Sequence, residues 1–436
     1  MCSFLFTNIE VKDIDYVNHF LRCRGPDLTS SLQSDQFLYL HNLLSITGEF
    51  TQQPIVDNDI VMLYNGEVYN YRALGDYSSD GLCIVDAYKQ SGVDSFKSLD
   101  GEFAIALHDK TKQLLYICCD SFATKPVFFA IQDQNICVST YKSACDRLGM
   151  KYATKAKPNQ VTVICLKQMK VTEEIELYKF DTRQHKNHYN DWEEAFESSI
   201  QKRVDTLRHN IVVPLSSGYD SGLISCVLNK KNVSHFAPSI RGKENQEILN
   251  QRAVLVKGKS EIFDRIDNRD LEEIRQNFSK YVENFNYGPN PHEATHVGFN
   301  DQGAVGLYFL LSEAKRRYDC KIVLSGQGSD EMMSTIKEYG FRTQNPIPFP
   351  ENLETVFPWG NFYYGSMWSY IMKEECVAGS LGMETRYPFL DRSVIQEFLW
   401  LTAEMKNSRY KAPIESVFIK TGYPYYIGKM GFNIES

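Results

Sequence analysis

The sequence has no surplus of positive charge. Its 436 residues carry 47 Lys and Arg against 55 Asp and Glu, a net charge of −8. That balance excludes wholesale binding to nucleic acid or an anionic membrane surface. No apolar run approaches the 18 or so residues of a membrane-spanning helix. No basic segment precedes the apolar residues of MCSFLFTNIEVKDID, so no secretory signal is expected. There is no CxxC pair: the 11 cysteines are odd in number and scattered, and the neighbours Cys118 and Cys119 cannot form an ordinary disulfide. A reduced, cytoplasmic chain is the reading. With no repeat, no low-complexity tract, 43% hydrophobic and 23% charged residues, the chain is neither disordered nor fibrous.

What remains is a globular chain of two or three domains' length. Residues 1–150 carry strand signals at Ile60–Tyr64, Phe103–His108, Leu114–Cys118, Val127–Ile131 and Ile136–Ser139, with Val161–Leu166 beyond. Their spacing predicts an antiparallel sheet domain. Asn65-Gly66 reads as a hairpin turn closing the first of them. Helical stretches intervene near Asp13–Arg22 and Gly81–Gln90. From about residue 190 the rhythm changes. Helical patterns at Trp192–Leu207, Asp220–Asn229 and Asp301–Tyr318 alternate with strand signals at Ile211–Leu215, His235–Ile240 and Lys321–Leu324, which predicts a parallel α/β sheet. The polar stretch Asp181–Asn190 is the expected boundary, dividing the chain into residues 1–185 and 190–436. The Pro-rich segment Asn345–Pro358 should be irregular, and Lys315-Arg316-Arg317 a solvated helix face.

The first chemical signal is Cys2. Removal of Met1 would make it N-terminal, and its own α-amine, with a pKa of about 7.7–8.0, could take the thiol proton at about 8.5. This is the N-terminal-nucleophile arrangement. RGPD at Arg24–Asp27, YNGEVYNY at Tyr64–Tyr71 and LDGEFAIALHD at Leu99–Asp109 follow in order. Together these strings resemble a class II glutamine amidotransferase domain, the kind found at the front of asparagine synthetase. The resemblance implies an αββα N-terminal-nucleophile sandwich. Cys2 would attack the glutamine amide and release ammonia. The Asn65 side chain and Gly66 N–H would hold the oxyanion, and Glu67 and Asp100 the glutamine ammonium. The sequence departs from the family where H-x-R-L-S-I reads HNLLSI. Leu43 stands where an Arg would grip the glutamine carboxylate. R-D-x-x-G-x-K-P reads CDSFATKP, with Cys119 for the Arg and Ala123 for the Gly.

The second signal is SSGYDS at Ser216–Ser221. Small residues ahead of a helix let backbone N–H groups approach phosphate. By itself the string suits a strand-to-helix turn capped by Asp220 equally well. It resembles the S-G-G-x-D-S loop of ATP pyrophosphatases. LSGQGSDE at Leu324–Glu331, GMETRYPFLD at Gly382–Asp391, and Lys411 with Lys429 in GKMGF extend the resemblance to asparagine synthetase over nearly the whole chain. It implies that Leu215, Ser216, Ser217, Gly218, Asp220, Ser221 and Gly326 bind ATP, and that Asp220 and Asp330 hold Mg²⁺. Lys429, with Lys411, would neutralise the phosphates. Gln327, Glu384 and Arg386 would meet the acceptor. Gln327 stands where the family has a Glu beside the acceptor, and Glu384 is the candidate substitute base.

The expected function is therefore glutamine- and ATP-dependent amidation of a small carboxylate through an acyl-adenylate. Glutamine, ATP and the acceptor are the partners, nucleic acid and membrane are not, and a homodimer is an open option. Leu43 and Gln327 point away from aspartate toward a sugar acid or another small metabolite. An amide- or ring-forming synthetase of the β-lactam synthetase or peptide cyclase type, not using glutamine, is the alternative. The HExxH string at His292–His296 is preceded by Pro289 and Pro291 and followed by Gly298, a poor setting for a zinc-protease helix.

Overall fold

The computed structural model describes residues 2–205, 208–242, 244–264, 268–287, 296–297, 301–334 and 347–427. The chain divides into two compact units, residues 1–179 and 180–436. The stretch Asp181–Asn190 belongs to the second unit, where the N–H groups of His185 and Lys186 both donate to Trp400 O, at 2.8 and 2.9 Å.

The first unit is two six-stranded antiparallel sheets. One runs in the order 154–155, 128–132, 135–139, 3–7, 37–43, 28–34. The other runs 170–176, 160–165, 114–119, 101–109, 60–68, 55–57. Alternation explains the layering. Phe4, Phe6 and Tyr39 of the first sheet meet Val61, Leu63, Ala104, Ala106, Leu115 and Ile117 of the second in one buried core. The alternate residues Met62, Tyr64, Ile105, Leu107 and Tyr116 pack on the other side with Cys83, Ile84, Val85 and Tyr88 of the helix Leu82–Ser91. Helices His19–Arg24 and Lys142–Arg147 cover the outer face of the first sheet. The result is αββα, in which strands buried on both faces read as continuous apolar runs. The edges differ. Lys170–Glu176 (KVTEEIE) is almost wholly exposed and Leu28–Ser34 (LTSSLQS) alternates, while Ile55–Asp57 and Thr154–Lys155 are only three and two residues long.

One expectation fails here. Asn65-Gly66 is not a hairpin turn. The strand continues from Ile60 to Val68, with Asn65 opposite Ala104 and Gly66 opposite Phe103. Gly66 has φ +134°, and a Cβ there would collide with Glu102 O. The glycine permits close strand contact rather than a reversal.

The second unit holds a five-stranded parallel sheet ordered 258–263, 235–240, 210–212, 320–324, 384–386. The chain starts at Asn210–Val212 and runs outward through His235–Ile240 to Gly258–Phe263. It then returns to lay Cys320–Leu324 on the opposite side of the first strand. The order reverses between Asn210–Val212 and Cys320–Leu324, and such a reversal opens a crevice beyond the carboxyl ends of the two strands. SSGYDS follows one of them and SGQGSDE the other. Lys315, Arg316 and Arg317 occupy the last turn of Gln302–Tyr318, where they pair with Asp319, Glu313 and Glu261. No helix among the described residues is long and apolar enough to cross a membrane.

Candidate active site

Cys2 immediately precedes the strand Ser3–Thr7 and is 8% exposed. Its Sγ lies 3.8 Å from Leu44 O, and its carbonyl accepts the Arg24 Nε–H at 3.0 Å. Arg24, which is buried, also lies 5.5 Å from the centre of the Tyr141 ring. The RGPD string thus has a local purpose. Arg24 tethers the Cys2 backbone, a Cβ at Gly25 would strike Asn42, and Asp27 accepts the Ser45 N–H at 2.8 Å. The tethering role of Arg24 was not evident from sequence. Across the sandwich, strand Ser3–Thr7 meets strand Ile60–Val68.

Asn65 on that strand is fully buried, yet among the described residues neither its Nδ2 nor its Oδ1 has a hydrogen-bond partner. A buried amide without partners costs about 1–3 kcal/mol, so its persistence needs a reason. His41 nearby makes its hydrogen bond at Nε2, 3.1 Å from Tyr64 O, and burial pushes its pKa down to about 3. It is neutral at physiological pH. Asp80, which the sequence reading passed over, fixes the strand end by accepting the Tyr64 hydroxyl at 2.5 Å and the Val68 N–H at 2.9 Å.

Glu67 is buried and lies directly opposite Glu102 in the register. Glu102 pairs with Lys125 at 3.3 Å, both side chains being buried. Asp100 is half-buried at the neighbouring strand entry, where its N–H donates to Asn70 Oδ1 at 2.9 Å. Leu43 is a buried apolar residue at the end of its strand, 5% exposed. Cys119 is buried and its thiol is pushed up to about 12 by desolvation, so it supplies no charge. Ala123 takes the left-handed φ of +48° that the family's glycine would adopt freely, at a cost of roughly 1–2 kcal/mol. Asp120 holds that turn by accepting the Phe103, Phe122 and Thr124 N–H groups at 2.9–3.0 Å.

In the second unit, Leu215 is buried and its N–H donates to Pro238 O at 2.8 Å, which pins the phosphate-type loop to the neighbouring strand. Ser216 and Ser221 hydroxyls lie 2.8 Å apart, and Gly218 N–H donates to Ser216 Oγ at 3.1 Å. Ser217 N–H donates to Glu244 at 2.6 Å. Gly218, not Asp220, caps the helix Tyr219–Lys230, which leaves Asp220 in its first turn. The plain capped-turn explanation of SSGYDS therefore does not hold.

The two loops touch. A Cβ on Gly326 would stand 2.7 Å from the Asp220 Cβ, and Ser329 Oγ donates to Asp220 Oδ1 at 2.6 Å. Between them lies Lys411, 1% exposed, its ammonium bonded to Asp220 and 3.0 Å from Asp330. Tyr410 donates to Asp330 at 2.9 Å. Burial opposes the charge on Lys411, but the two carboxylates outweigh it and hold its pKa well above the usual value. Lys411 also carries a left-handed φ of +48° at the head of the helix Ala412–Thr421. Such strain concentrates at functional sites. Lys429 and most of the HExxH string lie outside the described residues.

Glu384 and Arg386 lie on the strand Glu384–Arg386, each 1% exposed, and pair with each other at 2.6 Å. Arg386 Nη1 also donates to Arg203 O at 2.7 Å. That ion pair engages the Glu384 carboxylate. Gln327 instead donates to Glu374 at 3.2 Å. Glu374 is buried, and desolvation raises its pKa. It lies 47 residues along the chain, on the helix Gly365–Ser380, and no sequence motif pointed to it.

Comparison with known proteins matches a glutamine amidotransferase domain to residues 1–195 and an asparagine synthase domain to residues 191–355. A Methanocaldococcus jannaschii protein bearing a glutamine-hydrolyzing asparagine synthetase name is 26% identical over 474 residues, covering 94% of this chain and 82% of its own. The glutamine-hydrolyzing asparagine synthetases of Gallus gallus and Rattus norvegicus are 25% and 24% identical, over 88% and 84% of this chain and 73% and 70% of theirs. Among solved structures, the B. subtilis glutamine phosphoribosylpyrophosphate amidotransferase covers 94% of this chain and 97% of its own at 11% identity, with a loose TM-score of 0.35. The chain thus joins a glutamine amidotransferase domain to an asparagine synthase domain, the pairing for which it resembles glutamine-hydrolyzing asparagine synthetases over most of its length.

Proposed function

We propose that this protein amidates a small carboxylic acid with ammonia drawn from glutamine, activating the acid by adenylation with ATP. The observation that carries the reading is the Asp220–Lys411–Asp330 cluster at the crevice where the sheet order reverses. A carboxylate acceptor attacking the α-phosphate forms an acyl-adenylate and expels pyrophosphate. Ammonia then displaces AMP and gives the amide. A buried ammonium beside the reacting phosphates stabilises charge as it develops on the leaving pyrophosphate.

Asp220 and Asp330 are proposed to hold a magnesium ion: both offer hard oxygen donors, which here share the Lys411 ammonium. Two carboxylates suit an ion that keeps water and substrate phosphates in its shell. When bound, it would neutralise phosphate charge.

In the first unit, Cys2 is the proposed nucleophile, with Arg24 fixing its backbone. The unpartnered Asn65 amide is the proposed oxyanion donor, its hydrogen bond being made only when the tetrahedral oxyanion forms. Glu67 and Asp100 are proposed for the glutamine ammonium. For the acceptor, Glu374 offers the carboxylate that Gln327 lacks, which brings aspartate back beside sugar acids as a candidate. A second reading, synthesis of an amide without glutamine, is favoured by the apolar Leu43 where a cation would grip glutamine.

The test is pyrophosphate release by the purified protein with ATP, Mg²⁺ and a panel of carboxylates, nitrogen being supplied as glutamine or as ammonia. The Cys2→Ser variant should lose glutamine-supported turnover and keep ammonia-supported turnover. Equal turnover of parent and variant with no added nitrogen source would instead support the second reading. No acid-dependent pyrophosphate release from any carboxylate would refute the adenylation chemistry.

A further inference from the structure

We infer that Arg252 is a positioning residue for the nucleotide phosphates, holding the Ser216–Gly218 loop from behind and tying it to the helix that carries Lys411. The inference rests on the proposed ATP-dependent reading of this crevice. Arg252 is 0% exposed on the helix Gln246–Leu255. One nitrogen, Nη1, donates to Ser216 O at 2.7 Å and to Gly218 O at 2.6 Å. Its Nε donates to Pro424 O at 2.9 Å, just beyond the helix Ala412–Thr421. The guanidinium also lies 5.5 Å from the Phe418 ring centre and 5.2 Å from that of Tyr423.

The geometry has a direct consequence. Peptide units are planar and trans, so a carbonyl drawn to one side sends the following N–H to the other. With the Ser216 and Gly218 carbonyls drawn to the guanidinium, the N–H groups of Ser217 and Tyr219 are turned away from it. Ser217 N–H is taken by Glu244, while Tyr219 N–H belongs to the first turn of a twelve-residue helix, where anions are favoured. Arg252 thereby orients the Tyr219 N–H, and places the Ser217 N–H against Glu244, without touching phosphate.

Gly222 supplies the independent observation. It lies in the same helix, and a Cβ there would stand 2.5 Å from Arg252 Nη1 and 2.6 Å from its Cζ. The closing glycine of SSGYDSG is the space into which the guanidinium fits. A simple packing role would not require two carbonyls of the phosphate-type loop as partners, nor a side chain deleted from the loop's own helix to admit the cation.

The test compares equilibrium binding of α,β-methylene-ATP with Mg²⁺, and of adenosine, to the full-length protein by calorimetry. Arg252→Met should weaken the nucleotide by about ten-fold or more, the equivalent of one charge-assisted hydrogen bond. Adenosine binding should stay within two-fold of the parent, because the change concerns phosphate donors. Arg252→Lys should fall between the two, since an ammonium lacks the planar fork. Should Arg252→Met fail to fold, Gly222→Ala displaces the guanidinium from the other side and should show the same split. Equal losses for adenosine and nucleotide, or no loss for either, would overturn the positioning role while leaving the ATP-dependent reading intact. A parent protein that binds no nucleotide would overturn both.

Discussion

Replacing Gln327 by Glu puts a second carboxyl where the amide now donates to Glu374 at 3.2 Å. Two ionised carboxylates relaxed to about 4 Å apart repel by about 4 kcal/mol at an effective dielectric near 20. The folded protein avoids that by keeping a proton on the pair, so the folded-state pKa of the pair rises above its unfolded value. A raised carboxyl pKa leaves stability intact below the unfolded value of about 4.3 and removes it as pH climbs through the folded value. Gln327→Glu should therefore melt close to the parent at pH 5. At pH 8 it should melt lower by roughly 8 °C or more, taking about 2 °C per kcal/mol for a unit of this size. Adding Glu374→Gln to the same chain exchanges donor and acceptor and should cancel most of the pH dependence. Calorimetric scans of the three proteins at both pH values decide it. An equal loss at pH 5 and pH 8, or a pH dependence that survives in the double variant, would show that residues 327 and 374 do not share a proton.

Three further outcomes are expected. Asn65→Ala should lower glutamine turnover by about 10²–10³-fold while leaving the melting temperature unchanged or higher, because the amide has no partner among the described residues to lose. Lys411→Met should abolish pyrophosphate release and destabilise the second unit by about 3–5 kcal/mol, the usual result of removing one member of a buried pair. Added Mg²⁺ should then raise the melting temperature of this variant more than that of the parent, as measured by a thermal shift at matched ionic strength. Ala123→Gly should stabilise the first unit by about 0.5–1 kcal/mol in denaturant unfolding, since it relieves the left-handed φ but adds freedom to the unfolded chain.

Much of this arrangement could be read in the sequence because apolar patterning and loop chemistry are local. The strands at 101–109, 114–119 and 235–240 announce themselves as aliphatic runs, and SSGYDS and SGQGSDE as small polar turns between a strand and a helix. Other strands were hidden. Leu28–Ser34 is largely polar, and Ser3–Thr7 and Phe37–Leu43 gave no turn signals at both ends. Asn65-Gly66 misled because the pair is a strong hairpin signal, whereas here the glycine serves the contact with Glu102. Glu374 and Arg252 were illegible for a different reason. Each lies tens of residues from the loop it contacts, and only the tertiary fold brings the partners together. The one trace of Arg252 in the sequence was the missing side chain at Gly222. The sequence motifs put Lys429 first with Lys411 beside it; Lys411 is found buried between two aspartates, and Lys429 lies outside the described residues.

The edges of the two sheets in the first unit bear on how copies of this protein can meet. An exposed strand edge is an unpaired row of amide and carbonyl groups, an invitation to a neighbouring chain. Here two edges end after three residues or fewer, too short to template a ladder. The long Lys170–Glu176 edge presents Lys170, Glu173, Glu174 and Glu176, so a second copy laid alongside would bring carboxylate against carboxylate. The remaining edge, Leu28–Ser34, has Ser and Gln in place of a continuous apolar face. Among the described residues of this unit, no edge combines length with a continuous apolar face, the pairing of features that favours a ladder between copies.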